Sequence, residues 1–115
     1  MKQLFAAALL AAALAPAAAR ADKVEEFWTA KCKSCHGPDG KGITKTGKEE
    51  KIADMTTDKW AAEWTDEKIK KILAEGSKEK NSKGGPSKMK AFGDKMKEAG
   101  VDADQIIKYI RGLKK

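Results

Sequence analysis

Both cysteines of this 115-residue chain, Cys32 and Cys35, stand in one short stretch with its one histidine, His36. Cys-x-x-Cys-His is the arrangement for covalent haem attachment. The chemistry accounts for the spacing. Two thiols add to the vinyl groups on adjacent pyrrole rings and form thioethers, and one turn of backbone brings Cys32 and Cys35 to those two positions. His36, next in line, then swings its imidazole under the ring plane to the iron. Other chemistries use fewer of these residues. A thioredoxin-like dithiol belongs near a βαβ pattern, and no stretch here alternates like a strand. Structural zinc takes four protein ligands, and no further Cys or His exists to complete them. A disulfide across two intervening residues would close too small a loop to constrain the unfolded chain. One covalent haem c is therefore the expected cofactor.

The iron's other face needs its own ligand. With His36 used, a second histidine is excluded by composition. Methionine is the usual alternative in electron carriers and raises the reduction potential. Past the N-terminal segment there are Met55, Met89 and Met96. Met55 lies among polar residues, and Met96 sits where a core residue would fit. Met89 follows Gly84-Gly85-Pro86, a loop that permits close approach of backbone to a flat cofactor. Met89 is favoured, with Met96, Lys88 and Lys90 as the alternatives. A nearby decoy, Gly42-Ile43-Thr44-Lys45-Thr46-Gly47-Lys48, nearly spells a phosphate-binding loop. Glu49 stands where the Mg²⁺-binding hydroxyl must be, however, and no strand precedes it.

Helices joined by polar, glycine-bearing loops would position these groups. Val24, Phe27 and Trp28 recur at helical spacing on a segment running into the cysteines. Gly37, Gly40, Gly42 and Gly47 mark a long turn-rich loop. Thr65 can cap a second helix, with Asp66 and Glu67 in its first turn, Ile69, Ile72 and Leu73 as its apolar face, and Gly76 as its stop. Lys59 to Trp64 suggests a short turn of helix. Asp102 and Gln105 can form a capping box for a last helix whose stripe is Ile106, Tyr109, Ile110 and Leu113. Ahead of all this, Lys2, the apolar run Leu4 to Ala15 and the small-x-small triplet Ala19-Arg20-Ala21 read as a secretory signal peptide over 1–21. The run is too short to span a bilayer, which takes roughly 20 residues. Cleavage after Ala21 and export to a periplasm are expected, leaving 22–115 as one domain. Loss of Lys2 and Arg20 lowers the formal charge of +7 to +5.

On these motifs the chain resembles class I c-type cytochromes: small, monohaem and periplasmic. "CKSCHGPDGKG" is similar to the family's attachment segment, and "MKAFGDKM" resembles its "MPAFGDKL" ligand loop. That likeness puts the axial ligand at Met89 and the core position at Met96. "DADQIIKYIRGL" resembles the closing helix, which implies Tyr109 packed crosswise on Trp28, with Val24 and Ile106 alongside. The implied fold is all-α, with three main helices and short helices wrapped around the haem. Trp64 stands where some relatives carry a tryptophan that donates to a haem propionate; core packing explains it equally well. Two departures stand out. Lys90 replaces the proline after the axial Met, which leaves the loop less stiff. "GITKTG" replaces a proline-bearing segment whose carbonyl accepts from the proximal imidazole's Nδ1–H, so another acceptor is expected.

The family likeness implies a one-electron carrier, not an enzyme; no acid–base or nucleophile constellation is visible. The alternative is a haem ligand sensor or weak peroxidase with a labile sixth ligand. Between Lys83 and Lys97 five lysines (Lys83, Lys88, Lys90, Lys95, Lys97) meet one acid, Asp94. In the family the haem edge emerges beside this loop, so these charges would steer the carrier onto acidic docking surfaces of redox partners. Nucleic acid is a poor partner despite a pI of about 9.4, because the export signal points elsewhere and no nucleic-acid motif is present. A monomer is the default for such a carrier.

Overall fold

The structure is a computed structural model that describes residues 22–85 and 88–113. The expected signal peptide with its cleavage point after Ala21, and Pro86 of the glycine loop, lie outside the described residues. Six helical elements, and no strand, occur among the described residues. The first, α1, is continuous over 22–36. It is α-helical at first, makes one π-helical turn at Trp28–Cys32, and is α-helical again over Lys33–His36.

Threonines start the next three helices in the same way. Thr44 caps α2 (Lys45–Glu49), Thr57 caps α3 (Asp58–Glu63) and Thr65 caps α4 (Asp66–Glu75). In each, the hydroxyl accepts from the backbone N–H three residues on, a donor that the helix itself leaves without a partner. Helix α4 stops at Gly76, whose φ of 77° is open to glycine at little cost. α5 (Gly93–Ala99) ends in left-handed Gly100, and α6 (Ala103–Gly112) begins with the expected capping box. Gln105 N–H donates to Asp102 Oδ1 at 2.8 Å, and Asp102 N–H donates to Gln105 Oε1 at 2.9 Å.

Two helices fall where no element was anticipated. α2 interrupts the glycine loop, and α5 follows the ligand segment. α5 is short and lacks a side-chain cap; its place is set by tertiary burial of Met96, which the core holds as expected. Met55, read as polar-segment, is also buried.

The core joins α1 to the C-terminal half of the chain. Val24, Phe27 and Trp28 pack with Ile69 and Leu73 of α4 and with Ile106 and Ile110 of α6. The Trp28 and Tyr109 rings meet at 5.3 Å with a 43° tilt, so the anticipated contact of these two side chains is present. Phe27 meets Phe92 edge-on at 6.3 Å, which ties α1 to the segment entering α5. Arg111 closes the far end. Its Nη2 donates to the Trp64 carbonyl at 2.8 Å and to Asp66 Oδ1 at 3.0 Å, and its guanidinium lies over the Trp60 ring.

Asp102→Ala removes the reciprocal cap and should destabilise the protein by about 1 kcal/mol in chemical denaturation. Asp54 tests the pH dependence. Its carboxylate accepts from the Thr56 hydroxyl at 2.6 Å and the Thr56 N–H at 2.8 Å, which hold its pKa below the ordinary value. A depressed folded pKa contributes stability that is present above the unfolded value and is lost as pH falls through the folded one. Asp54→Asn should therefore lose stability at neutral pH and lose less than the parent on acidification, read from denaturant midpoints at both pH values.

Candidate metal centre

The π turn in α1 sets the geometry of the motif. Lys33 N–H reaches back five residues to the Trp28 carbonyl. An α-helix of 3.6 residues per turn lets positions four apart drift around its axis; the wider turn rotates less per residue and offsets that drift. Trp28, Cys32 and His36, spaced by fours, thereby face one cavity. Trp28 is anchored by its indole N–H, which donates to the Gly37 carbonyl at 3.1 Å, directly beyond His36.

The backbone of the motif is then keyed to the loop that follows it. Gly42 N–H donates to the His36 carbonyl at 2.8 Å. The Thr44 hydroxyl donates to the Cys35 carbonyl at 3.0 Å while accepting from Gly47 N–H at 2.8 Å. Gly47 is pressed so closely against this arrangement that an added Cβ would lie 2.6 Å from the Cys35 carbonyl oxygen and collide with that of Gly42. These loop groups turn to the motif's backbone and not to its ring. The anticipated acceptor for the imidazole is accordingly not found: His36 Nδ1 is buried and makes no hydrogen bond. Burial also lowers the His36 pKa, so the ring is a neutral imidazole, the form that ligates metals.

The cavity measures about 150 Å³ and opens to solvent at its mouth. Its walls are apolar, with Ile52, Met55, Trp60, Ile69, Leu73 and Ile106 among them. Met89 and Trp64 line it as well, together with Cys32 and His36. Cys35 is half-exposed and is not among the lining residues. Trp64 stacks against Trp60 at 6.2 Å. Met55 and Ile52 were not recognisable as site residues: each stands alone in a polar loop, and only tertiary folding turns it inward.

Backbone contacts fix Met89 from the opposite side. Its carbonyl accepts from Ser77 N–H at 2.9 Å, and Phe92 N–H donates to the Leu73 carbonyl at 2.8 Å. Gly76 makes this approach possible, since a Cβ there would lie 2.7 Å from the Met89 carbonyl oxygen and 2.8 Å from the Ala91 nitrogen. The rigidity that the resemblance assigned to a proline is supplied here by pinning on α4, with Lys90 left exposed.

A flat aromatic macrocycle carrying a metal fits this donor set. The slot is apolar, and it brings a neutral imidazole and a thioether sulfur together with one of the two thiols. Burial and the neighbouring Cys35 push the Cys32 thiol up to about 12. A thiol that keeps its proton is a poor nucleophile for disulfide exchange, which counts against a dithiol oxidoreductase. Among the described residues no cluster of three or more His, Cys, Asp or Glu could hold a bare metal ion.

Comparison with known proteins agrees with this geometry. The family model described as Cytochrome c matches residues 21–114. Among solved structures the chain is similar to the KustC0563 c-type cytochrome, with a TM-score of 0.62 and 26 % sequence identity. That match covers 79 % of this chain and 96 % of the other. No curated protein matches the chain.

Gly47→Ala should break the junction between loop and motif. Little haem-bearing protein should accumulate, as read by haem staining of a denaturing gel. Gly112→Ala, whose Cβ meets nothing within 4 Å, is the matched control and should accumulate at the parent's level.

Proposed function

Since the chain belongs to the cytochrome c family, whose members bind haem c covalently, we propose that it is a periplasmic single-haem electron carrier. In this reading Cys32 and Cys35 would form the thioethers, and His36 and Met89 would ligate the iron. The observation that carries it is the convergence of Cys32, His36 and Met89 on one apolar cavity.

When bound, the haem supplies a one-electron Fe(III)/Fe(II) couple. The chain's own residues do the rest. His36 arrives neutral and half-buried, with its own carbonyl held by Gly42 and that of Cys35 held by Thr44, so its ring would have little freedom to reorient as the charge changes. The Ser77 hydrogen bond holds the backbone of Met89. A thioether sulfur favours the reduced state and raises the potential. Trp28, Trp60 and the aliphatic walls line the cavity and would keep water from a bound macrocycle, which would lower the local dielectric and raise the potential further. Trp64 is kept as a candidate propionate contact, its backbone held by Arg111.

Export with cleavage after Ala21 places the carrier outside the cytoplasm. No helix among the described residues is long and apolar enough to cross a membrane. The partners would be oxidases, reductases or other cytochromes with acidic docking surfaces. Lys83, Lys88, Lys90, Lys95 and Lys97 are all exposed. Lys88 pairs with Glu79 at 3.4 Å and Lys95 with Glu98 at 4.0 Å. Exposed pairs of this kind hold their charges weakly and leave them available to a partner.

Two measurements test these assignments. The oxidised protein should show a far-red Met-to-Fe(III) charge-transfer band, and the reduced protein should not respond to carbon monoxide. Met89→Ala should abolish the band and admit carbon monoxide; a band that survives the substitution overturns Met89 as ligand. Electron transfer to the native partner should slow about tenfold or more as ionic strength rises from roughly 0.01 to 0.15 M. A flat salt profile overturns the lysine docking face.

A further inference from the structure

None of the described residues between Gly76 and Met89 is buried. Apolar burial therefore does not hold this loop in place; hydrogen bonds do. At its base Ser77 N–H donates to the Met89 carbonyl, and one step further out Lys88 N–H donates to the Glu79 carbonyl at 3.0 Å. Its tip is a tight turn in which Asn81 Oδ1 accepts from Lys83 N–H at 3.0 Å and from Gly85 N–H at 2.8 Å. Two further hydrogen bonds join the tip to a distant part of the chain. Ser82 N–H donates to Glu50 Oε2 at 2.9 Å, and the Ser82 hydroxyl donates to Glu50 Oε1 at 2.7 Å, across 32 residues of sequence.

Glu50 sits at the end of α2, the helix whose Gly47 is wedged against the carbonyls of Cys35 and Gly42. Its carboxylate is thus carried by the element keyed to the His36 side of the cavity, and Ser82 by the loop that leads to Met89. Lys83 and Lys88 of that loop face the same carboxylate and favour its charged form, and Glu79 shares Lys88.

We infer that Glu50 and Ser82 form a latch between the two sides of the cavity, positioning the Met89 loop and setting how often it opens. The inference rests on Met89 being the sixth ligand. An external ligand can bind the iron only when Met89 has left it. The apparent affinity of that ligand is therefore its intrinsic affinity scaled by the open population. Both bonds of the latch are charge-assisted, and neither touches the iron or its ligands. Removing them should raise the open population and leave the closed state's spectrum alone.

The test uses oxidised holoprotein and imidazole as the external ligand. Glu50→Ala and Ser82→Ala should each bind imidazole about three- to tenfold more tightly than the parent, the effect of losing a net hydrogen bond. Each should keep the charge-transfer band when imidazole is absent. The double variant should bind no more tightly than Glu50→Ala, because that substitution already removes both bonds, whereas Ser82→Ala keeps the one from its N–H. Ser82→Thr, which keeps the hydroxyl and the N–H, should restore parental affinity. Imidazole affinities within twofold of the parent in both alanine variants, with the band intact, overturn the latch while Met89 stands. A drop in thermal midpoint with unchanged imidazole affinity shows a merely structural bond and overturns it too. A parent protein without the charge-transfer band overturns the ligand assignment itself, and the latch with it.

Discussion

One neutral imidazole, half-buried at the end of the first helix with its enclosed Nδ1 unbonded, is the constraint around which the rest is arranged. A neutral imidazole facing an apolar slot is placed to ligate a metal through its other ring nitrogen. The neighbouring structure keeps the ring there. The π turn aligns Trp28, Cys32 and His36 on one face, the Trp28 indole holds Gly37, and Gly42 and Thr44 take the carbonyls of His36 and Cys35. Each contact fixes backbone and leaves the ring and the thiols for the cofactor.

The opposite wall is built on another principle. Met89 and Phe92 pack against the core, and the segment's backbone is set by close approach to the end of α4 and by the hydrogen bonds that Ser77 and Lys88 donate. A glycine at position 76 does there what a proline after the ligand does by stiffness. In the proposed reading, a clamped His36 side and a hydrogen-bonded Met89 side would keep both ligands in place as the oxidation state changes.

Much of this was legible in the sequence because the relevant signals are local. Cys32, Cys35 and His36 are adjacent in the chain, Asp102 and Gln105 stand at capping-box spacing, and the faces of α1, α4 and α6 repeat with helical period. The contact of Trp28 with Tyr109 followed from resemblance and is present. What stayed hidden depends on contacts between segments far apart. α5 has no cap of its own and forms around the burial of Met96. Met55 and Ile52 carry no periodic neighbours, yet both line the cavity. The expected partner for the His36 ring is missing because Gly42 and Thr44 bond to the backbone beside it, a choice that residue types alone do not reveal. Thr44 and Thr57 cap helices short enough to lack an apolar stripe, so the capping signal had no periodic segment to announce.

The central claim is that one haem is joined to both Cys32 and Cys35. Intact mass of the mature protein after treatment with a thiol-alkylating reagent under denaturing conditions tests it in one step. The account predicts the mass of residues 22–115 plus a single haem, with no alkyl group added, since both sulfurs are occupied. A bare polypeptide carrying two alkyl groups would contradict it.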